Sequence, residues 1–222
     1  MTTLVAVPVK DLANAKQRLI PFLAAEERRE LARAMLEDVL DALGRAGLGA
    51  PVVVTRDPEV EAIARRHSAG LLREEDNRGH TEAVAHAQRQ AAALGAQRFL
   101  TIPGDVPCAA PREVAALMDA LPPGRGAVFV PSLSGFGTNA ALLAPPSAMT
   151  LKFGEPSFEN HLVAARAAGL APRVVQAAGI GLDIDAPEDL TLLLERGPGT
   201  RSAALLVRFG VPARLRARPE AS

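Results

Sequence analysis

Residues 4–19 read Leu-Val-Ala-Val-Pro-Val-Lys-Asp-Leu-Ala-Asn-Ala-Lys-Gln-Arg-Leu. The valine-rich run at 4–9 reads as a first β-strand, and the cationic stretch that follows as the loop at its carboxyl end. In an open α/β sheet, ligands bind outside the carboxyl ends of the strands, so Lys10, Lys16 and Arg18 would face a phosphate-rich ligand. The chain has only three lysines, and the third, Lys152, also falls in a loop segment. Together they read as one anion site. An ordinary solvated charge run is the alternative, kept open by the large excess of arginine over lysine.

Outward from this stretch, strand-like and helix-like segments alternate. Residues 26–43 carry apolar side chains at helical spacing (Leu31, Met35, Val39) and end near Gly44. Residues 51–55 form a β-branched run. A helix at 58–67 opens on Asp57 as N-cap with Pro58 at its first position. A brief strand at 70–73, a helix at 81–94, a buried strand at 98–102 and a helix at 111–121 follow. Such alternation implies right-handed βαβ units and a largely parallel sheet. Further on, closely spaced strands at 127–131, 139–143, 173–176 and 179–184, with helices at 158–168 and 187–194, suggest a mixed extension. The expected fold is a three-layer α/β, Rossmann-like domain over residues 1–195. Residues 196–222 read as a tail with one short helix near 201–209 and a basic, frayed end.

Composition narrows the function classes. A length of 222 residues suits one domain with a sizeable core. The formal net charge of zero recruits neither nucleic acid nor an anionic membrane surface. With no Trp, no Tyr and seven Phe, a stacking platform for single-stranded bases is absent. The single cysteine, Cys108, excludes an internal disulfide and fits a reducing compartment. His80 and His86 are too far apart for a His-x-x-x-His zinc pair. No secretory signal and no stretch of membrane-spanning length are visible, so a cytoplasmic protein is the expectation.

Several short constellations could carry chemistry. Asp105 follows a buried strand in Thr-Ile-Pro-Gly-Asp-Val-Pro, where a carboxylate would enter the ligand crevice; magnesium needs only one or two protein carboxylates beside phosphates and water. A turn aspartate bonding its own backbone is the plain alternative. Asp183 and Asp185, two apart, would share one face of a strand and need a cation between them. Asp185, with Glu188 three residues on, also resembles a capping box, which leaves Asp183 the better metal ligand. The small-residue loop 134–139 could bring backbone amides to an anion or be an ordinary hairpin turn. Ser157, preceded by Lys152-Phe-Gly-Glu-Pro, could hold a phosphate or carboxylate at a helix start or be a plain cap. His161, one turn on, reads as an ordinary helix-face residue. No Walker A loop, Gly-x-Ser-x-Gly elbow or His-centred triad is present. Such a set suits a reaction whose nucleophile is already an anion and which needs charge neutralisation rather than a base.

Read in order, Pro-Val-Lys…Ala-Lys-Gln-Arg-Leu, Pro-Gly-Asp-Val-Pro, Gly-Thr-Asn-Ala, Phe-Gly-x-x-Ser-Phe-x-x-His and Asp-Ile-Asp-Ala-Pro-Glu-Asp-Leu resemble the guanylyltransferases of deazaflavin coenzyme F-420 biosynthesis, over nearly the whole chain. That family acts on phosphoenolpyruvate, 2-phospho-L-lactate or 3-phospho-D-glycerate. The resemblance implies a nucleotide-diphosphosugar-transferase-like fold in the nucleotidyltransferase domain. It further implies transfer of GMP from GTP to a phosphorylated three-carbon acid with release of pyrophosphate, and delivery of the product to a downstream transferase. By resemblance, Thr138, Gly154 and Ser157 hold the acid, with Lys10 and Lys152 nearby. Asp105, Asp183 and Asp185 hold Mg2+, and Lys16 and Arg18 attend the triphosphate. One departure is Gly79-His80-Thr81, preceded by Asn77-Arg78, where such proteins usually read Gly-Leu-Asn and where the base should be recognised. The competing readings are another nucleotidyltransferase of the same fold (for a sugar nucleotide or a molybdopterin dinucleotide), a metal-dependent glycosyltransferase using Asp183-Ile-Asp185, and a non-catalytic nucleotide-binding module. The oligomeric state is open, a homodimer being one option.

Overall fold

The structure is a computed structural model and describes residues 2–74, 76 and 78–217. Its centre is a seven-stranded sheet in the order β3-β2-β1-β4-β6-β5-β7. The strands are β1 (Thr3–Pro8), β2 (Val52–Thr55), β3 (Gly70–Arg73), β4 (Arg98–Thr101), β5 (Gly126–Pro131), β6 (Thr138–Ala144) and β7 (Arg173–Val174). All run parallel except β6, which lies antiparallel between β4 and β5.

Both faces of the sheet are covered, and the strand side chains divide by alternation. Val5 and Val7 of β1, Leu100 of β4, Leu142 of β6 and Val128 and Val130 of β5 pack with helices α1 (Ala25–Arg45), α2 (Pro58–Arg66), α4 (Pro111–Ala120) and α6 (Pro187–Arg196). Ala6, Phe99, Leu143, Ala127 and Phe129 face the other way, onto α3 (His80–Ala93) and α5 (Ser157–Ala167). This is the three-layer, mostly parallel mixed sheet expected from the alternation of elements. With both faces buried, polar chemistry is left to the strand ends.

Two strand expectations change. Pairing of β7 ends at Val174, apart from a single bond from the Val175 amide to the Phe129 carbonyl. Residues 179–184 are not a strand: a turn, closed by the Gly181 amide on the Ala177 carbonyl, leads into an extended segment whose Ile184 amide bonds the Asp105 carbonyl. The sequence at 179–184 carries the apolar alternation of a strand because Ile180, Leu182 and Ile184 are buried. A glycine at 179 is compulsory for another reason, since a Cβ there would lie 2.1 Å from the Cys108 carbonyl oxygen.

After α6 come α7 (Arg201–Arg208) and α8 (Val211–Arg216), so the segment 196–217 holds two helices where one was expected. Ala203, Leu206 and Val211 join the core beneath α1. The amino end of α7 is fastened by Asp38 of α1, whose carboxylate accepts from the Arg201 amide (3.0 Å), the Ser202 amide (3.0 Å) and the Ser202 hydroxyl (2.6 Å). Ser202 is completely buried, so removing the acceptor strands buried donors. Asp38→Ala is therefore expected to lower unfolding free energy by about 2–3 kcal/mol, read as a lower urea midpoint with unchanged m-value. A loss below about 0.5 kcal/mol would mean that α7 contributes nothing to the cooperative unit.

Candidate active site

The first loop leaves β1 at Pro8 and is held open by a neighbour. The Leu12 amide donates to Asp57 Oδ2 (2.9 Å), while Asp57 Oδ1 caps α2 through the Glu59 amide (2.8 Å). One aspartate thus starts a helix, as its position before Pro58 predicts, and anchors the loop. Further along, Lys16 adopts a left-handed backbone (φ 56°, ψ 45°), a conformation that costs a non-glycine residue about 1 kcal/mol or more. It turns the side chain inward, where Nζ lies 2.7 Å from Asp105 Oδ2 and 2.8 Å from Asp185 Oδ1. The Lys16 side chain is only 8% exposed, against 32% and 50% for the two carboxylates. Burial alone would lower the lysine's pKa, but the adjacent Asp105 and Asp185 charges outweigh it and raise it. Asp105 likewise overcomes burial, and Lys16 holds its carboxyl below the usual range.

These groups line a cavity of about 450 Å³ at the carboxyl ends of β1 and β4, together with Lys10, Pro103, Gly104 and His80. Gly104 sits close against its neighbours: a Cβ would lie 3.0 Å from Val9 Cγ2 and 3.4 Å from Leu36 Cδ1, so a side chain there would make those groups give way by a few tenths of an ångström. Arg18, in the one-turn 3-10 helix Gln17–Leu19, is exposed and does not line the cavity. His80 begins α3, so the segment expected to read the base does border the cavity; Asn77 lies outside the described residues.

Asp185 is not a cap. The amides of Asp185 and Ala186 both donate to Asp189 Oδ2 (2.9 and 2.7 Å), which frees the Asp185 carboxylate for Lys16. Asp183, two residues earlier, accepts from Asn139 Nδ2 (2.9 Å), and the same amide group donates to the Ile180 carbonyl (3.0 Å). Burial, chiefly, and then the Asp105 and Asp185 charges push the Asp183 carboxyl up, against the Asn139 bond. Asp183 thus lies within electrostatic reach of both other aspartates. Among the described residues no three His, Cys, Asp or Glu side chains stand close enough together to hold a metal ion; the cation between Asp105 and Asp185 is the ammonium of Lys16. The turn before Asp183 is pinned by Glu113 of α4, whose carboxylate accepts from the Gly179 (2.8 Å) and Ile180 (3.2 Å) amides.

A second cluster gathers beside the start of β6. Thr138, Ser157 and His161 are buried. His161 Nδ1 is 2.9 Å from Thr138 Oγ1, the Lys152 amide donates to His161 Nε2 (3.0 Å), and the Ser157 hydroxyl donates to Thr138 Oγ1 (3.4 Å). Ser157 makes no cap bond; its hydroxyl faces Thr138 instead. The Phe153 amide donates to Thr81 Oγ1 (2.9 Å), so the loop 152–156 is fixed at two amides. Gly154 follows at φ +111°, favourable only to glycine, and Lys152 is exposed. Lys10, Lys16, Asp105 and Asp185 thus share the cavity, while Thr138, Gly154, Ser157 and Lys152 form the adjoining cluster. The two are joined by the ring contacts His80–Phe153 (4.5 Å) and Phe153–His161 (5.0 Å). The hairpin loop 132–137 is closed by internal bonds, with the Gly137 amide on Ser132 Oγ (2.9 Å), as in the plain-turn reading.

Sequence reasoning missed Asn139, Glu113 and the burial of His161. For His161 a signal existed in its spacing from Ser157 and Phe158, which puts it on the inner side of α5. The partners of Asn139 lie 41 or more residues away, and Glu113, which also caps α4 through the Ala110 amide, reaches the Gly179 and Ile180 amides 66 and 67 residues on, which no local pattern reports.

The family described as "Guanylyl transferase CofC like" matches residues 3–221. The chain belongs to that family. Among its relatives, a phosphoenolpyruvate guanylyltransferase of Sphaerobacter thermophilus is 40% identical over 200 residues, 89% of this chain and 95% of that protein. One of Conexibacter woesei with the same name is 37% identical over 99% of this chain and all of that protein. A 2-phospho-L-lactate guanylyltransferase of Methanothermobacter thermautotrophicus is 35% identical over 95% of this chain and 93% of that protein. Among solved structures, one described as a nucleotide-diphospho-sugar transferase from Desulfovibrio desulfuricans G20 superposes with a TM-score of 0.79 at 17% identity, covering 98% of both chains. A nucleotidyl transferase from Methanothermobacter thermautotrophicus gives 0.62 at 15% identity, over 98% of this chain and 99% of that one. The structural matches speak for the fold; the family makes the protein a nucleotidyltransferase.

The two site histidines make stability pH-dependent. Burial pushes His80 and His161 down to about 4; for His80 the Asp105 charge opposes the shift and Lys10 adds to it. Each folds neutral. The unfolded chain binds a proton near 6.5 and the folded one only near 4, so stability is fully present above pH 6.5 and is lost as pH falls toward 4. Each imidazole accounts for up to about 3 kcal/mol. Glu74 and Asp183, raised by burial, work in the opposite direction at the acid end. The urea midpoint is expected to fall between pH 7 and pH 5, and to fall less in His161→Phe, which leaves the carboxyls in place. Equal pH slopes for the two proteins would contradict a buried neutral His161.

Proposed function

We propose that the protein transfers GMP from GTP to a small phosphorylated three-carbon acid, in the assembly of a deazaflavin coenzyme. Phosphoenolpyruvate is the first choice of acceptor, ahead of 3-phosphoglycerate and 2-phospholactate. The observation that carries this reading is the adjacency of Thr138 and Asn139 at the start of β6. One reaches the donor cluster of Ser157 and His161, and the other holds Asp183 of the carboxylate group. An acceptor phosphate held at Thr138 therefore lies beside the aspartates and the cavity suited to the triphosphate. The names of the relatives, divided between phosphoenolpyruvate and 2-phospho-L-lactate guanylyltransferases, support the substrate class.

In the proposed step an acceptor phosphate oxygen attacks the α-phosphorus of GTP and the bond to the β-phosphate oxygen breaks. Pyrophosphate leaves with that electron pair, and no proton has to move. The chain's task is alignment and charge neutralisation. Lys10 and Lys16 attract the triphosphate, with Lys16 held inward by its ion pairs. Thr138 and the Gly154 amide bind the acid, with the Ser157 hydroxyl bonded to Thr138 in support, and Lys152 adds positive charge at the rim. Asp105, Asp183 and Asp185 offer hard oxygen donors of the kind Mg2+ takes, but they do not stand close enough together to hold it by themselves; one or two of them would share it with the phosphates and water. Magnesium bound there would neutralise the phosphates during in-line displacement. The product is an anhydride with a good nucleotide leaving group, suited to a downstream transferase. A cytoplasmic setting would suit phosphorylated substrates and a single, half-buried cysteine.

Mixing the protein with GTP, Mg2+ and each of the three acids should release pyrophosphate with at least one; release only with a sugar phosphate would overturn the substrate class. Asp105→Asn should keep the fold and reduce turnover by about a hundredfold or more. Lys16→Ala should cost a similar factor while changing stability by less than about 2 kcal/mol, because both of its carboxylates stay partly solvated. A folded variant of either kind with near-normal turnover would remove that residue from the chemistry. Ser157→Ala should raise the KM for the acid about tenfold and leave that for GTP nearly intact.

A further inference from the structure

We propose that His161 is a positioning residue for the acceptor: it fixes the Thr138 hydroxyl as a donor toward an oxygen that carries no hydrogen. The inference rests on the acceptor reading of Thr138 given above and deepens it.

The chain of hydrogen bonds has one consistent direction. A backbone amide can only donate, so the Lys152 N–H at 3.0 Å requires His161 Nε2 to be the acceptor. The imidazole then carries its hydrogen on Nδ1, which is 2.9 Å from Thr138 Oγ1 and donates to it. The Ser157 hydroxyl donates to the same oxygen at 3.4 Å. Both acceptor positions of Thr138 Oγ1 are thereby filled from inside the protein, and its own hydrogen is what remains to offer. The ring has little freedom to leave this arrangement. It stacks on Phe129 (centroids 5.5 Å apart, planes within 5°), meets Phe153 edge-on, and is 1% exposed. The other tautomer would set N–H against N–H at Lys152, and a flipped ring would set C–H groups against both partners, in a site closed to water.

The chemical consequence is selectivity. A hydroxyl free to rotate can accept as readily as it donates, and so tolerates an alcohol as well as a carboxylate or phosphate oxygen. With its lone pairs occupied, Thr138 favours the anionic oxygen, and the preference is set at the Lys152 backbone amide, nine residues from His161, which of all substitutions only proline would remove.

The test separates the two nitrogens. The Asn side chain can place an N–H near the Nδ1 position, and that of Gln can place a carbonyl near Nε2. His161→Phe keeps the ring packing and loses both bonds; His161→Gln keeps a partner for the Lys152 amide and loses the donor to Thr138; His161→Asn keeps the donor to Thr138. The KM for the acid, taken as phosphoenolpyruvate, is expected to rise about tenfold in His161→Phe and His161→Gln and by less than about threefold in His161→Asn, with kcat and the KM for GTP within about twofold throughout. If KM rises equally in the Asn and Gln variants, His161 is only a packing residue and the proposal falls. Independently, the ring nitrogens of the 15N-histidine-labelled protein without substrate should show a protonated Nδ1 and an unprotonated Nε2 for His161. The reverse pattern overturns the proposal whatever the substrate. If that spectrum is as expected but the wild-type protein turns over none of the three acids, the acceptor reading has failed, and the selectivity assigned here fails with it while the hydrogen-bond direction stands.

Discussion

The arrangement of the site depends on one ammonium group. Lys16 Nζ is clamped between Asp105 and Asp185, residues 89 and 169 positions away. In water two carboxylates so placed would repel each other and the chain ends bearing them. Around a buried cation they converge, at the cost of desolvating it and of a left-handed backbone at Lys16. The first loop, the turn after β4 and the segment before α6 are brought to one point by this interaction. Three other carboxylates make the clamp rigid: Asp57 anchors the first loop, Glu113 fixes the turn before Asp183, and Asp189 relieves Asp185 of capping. None of these enters the chemistry proposed, yet each determines where a reactive carboxylate or cation lies.

Much of the architecture is legible in the sequence because it is written in local periodicity. Val5 and Val7 alternate with Leu4 and Ala6 across two cores, and a helix begins where Asp57 precedes Pro58. The same rule fails at 179–184, where alternating burial arises from a chain pressed into a groove rather than from a ladder. Period-two burial reports which side of the chain is inside, not whether a neighbour pairs with it. Even so, Ile184 is buried between Asp183 and Asp185, and the Asp185 charge reaches Asp183.

The clustered lysines and Asp105 were visible as chemistry because scarce charges beside a predicted strand end stand out. The role of Asp185 was ambiguous, and Asp189, one residue past the Glu188 expected to complete a capping box, resolves it. The engagement of both nitrogens of His161 was invisible because one partner is a backbone amide, which every residue possesses. Sequence shows which groups are unusual; it does not show which common groups they have been given.

The lone antiparallel strand has a consequence for how such a protein could diversify. Reversing β6 brings Thr138 to the same edge as Asp105, and the groups assigned to the acid then follow within one uninterrupted stretch, from the β5–β6 hairpin to His161. The groups assigned to the triphosphate come instead from the first loop, the turn after β4 and the segment before α6. Recombination or drift confined to that single stretch could therefore exchange one acid for another without disturbing the nucleotide machinery. The reverse exchange would require coordinated change at distant loci. On this topology a change of acceptor would need fewer separated substitutions than a change of nucleotide.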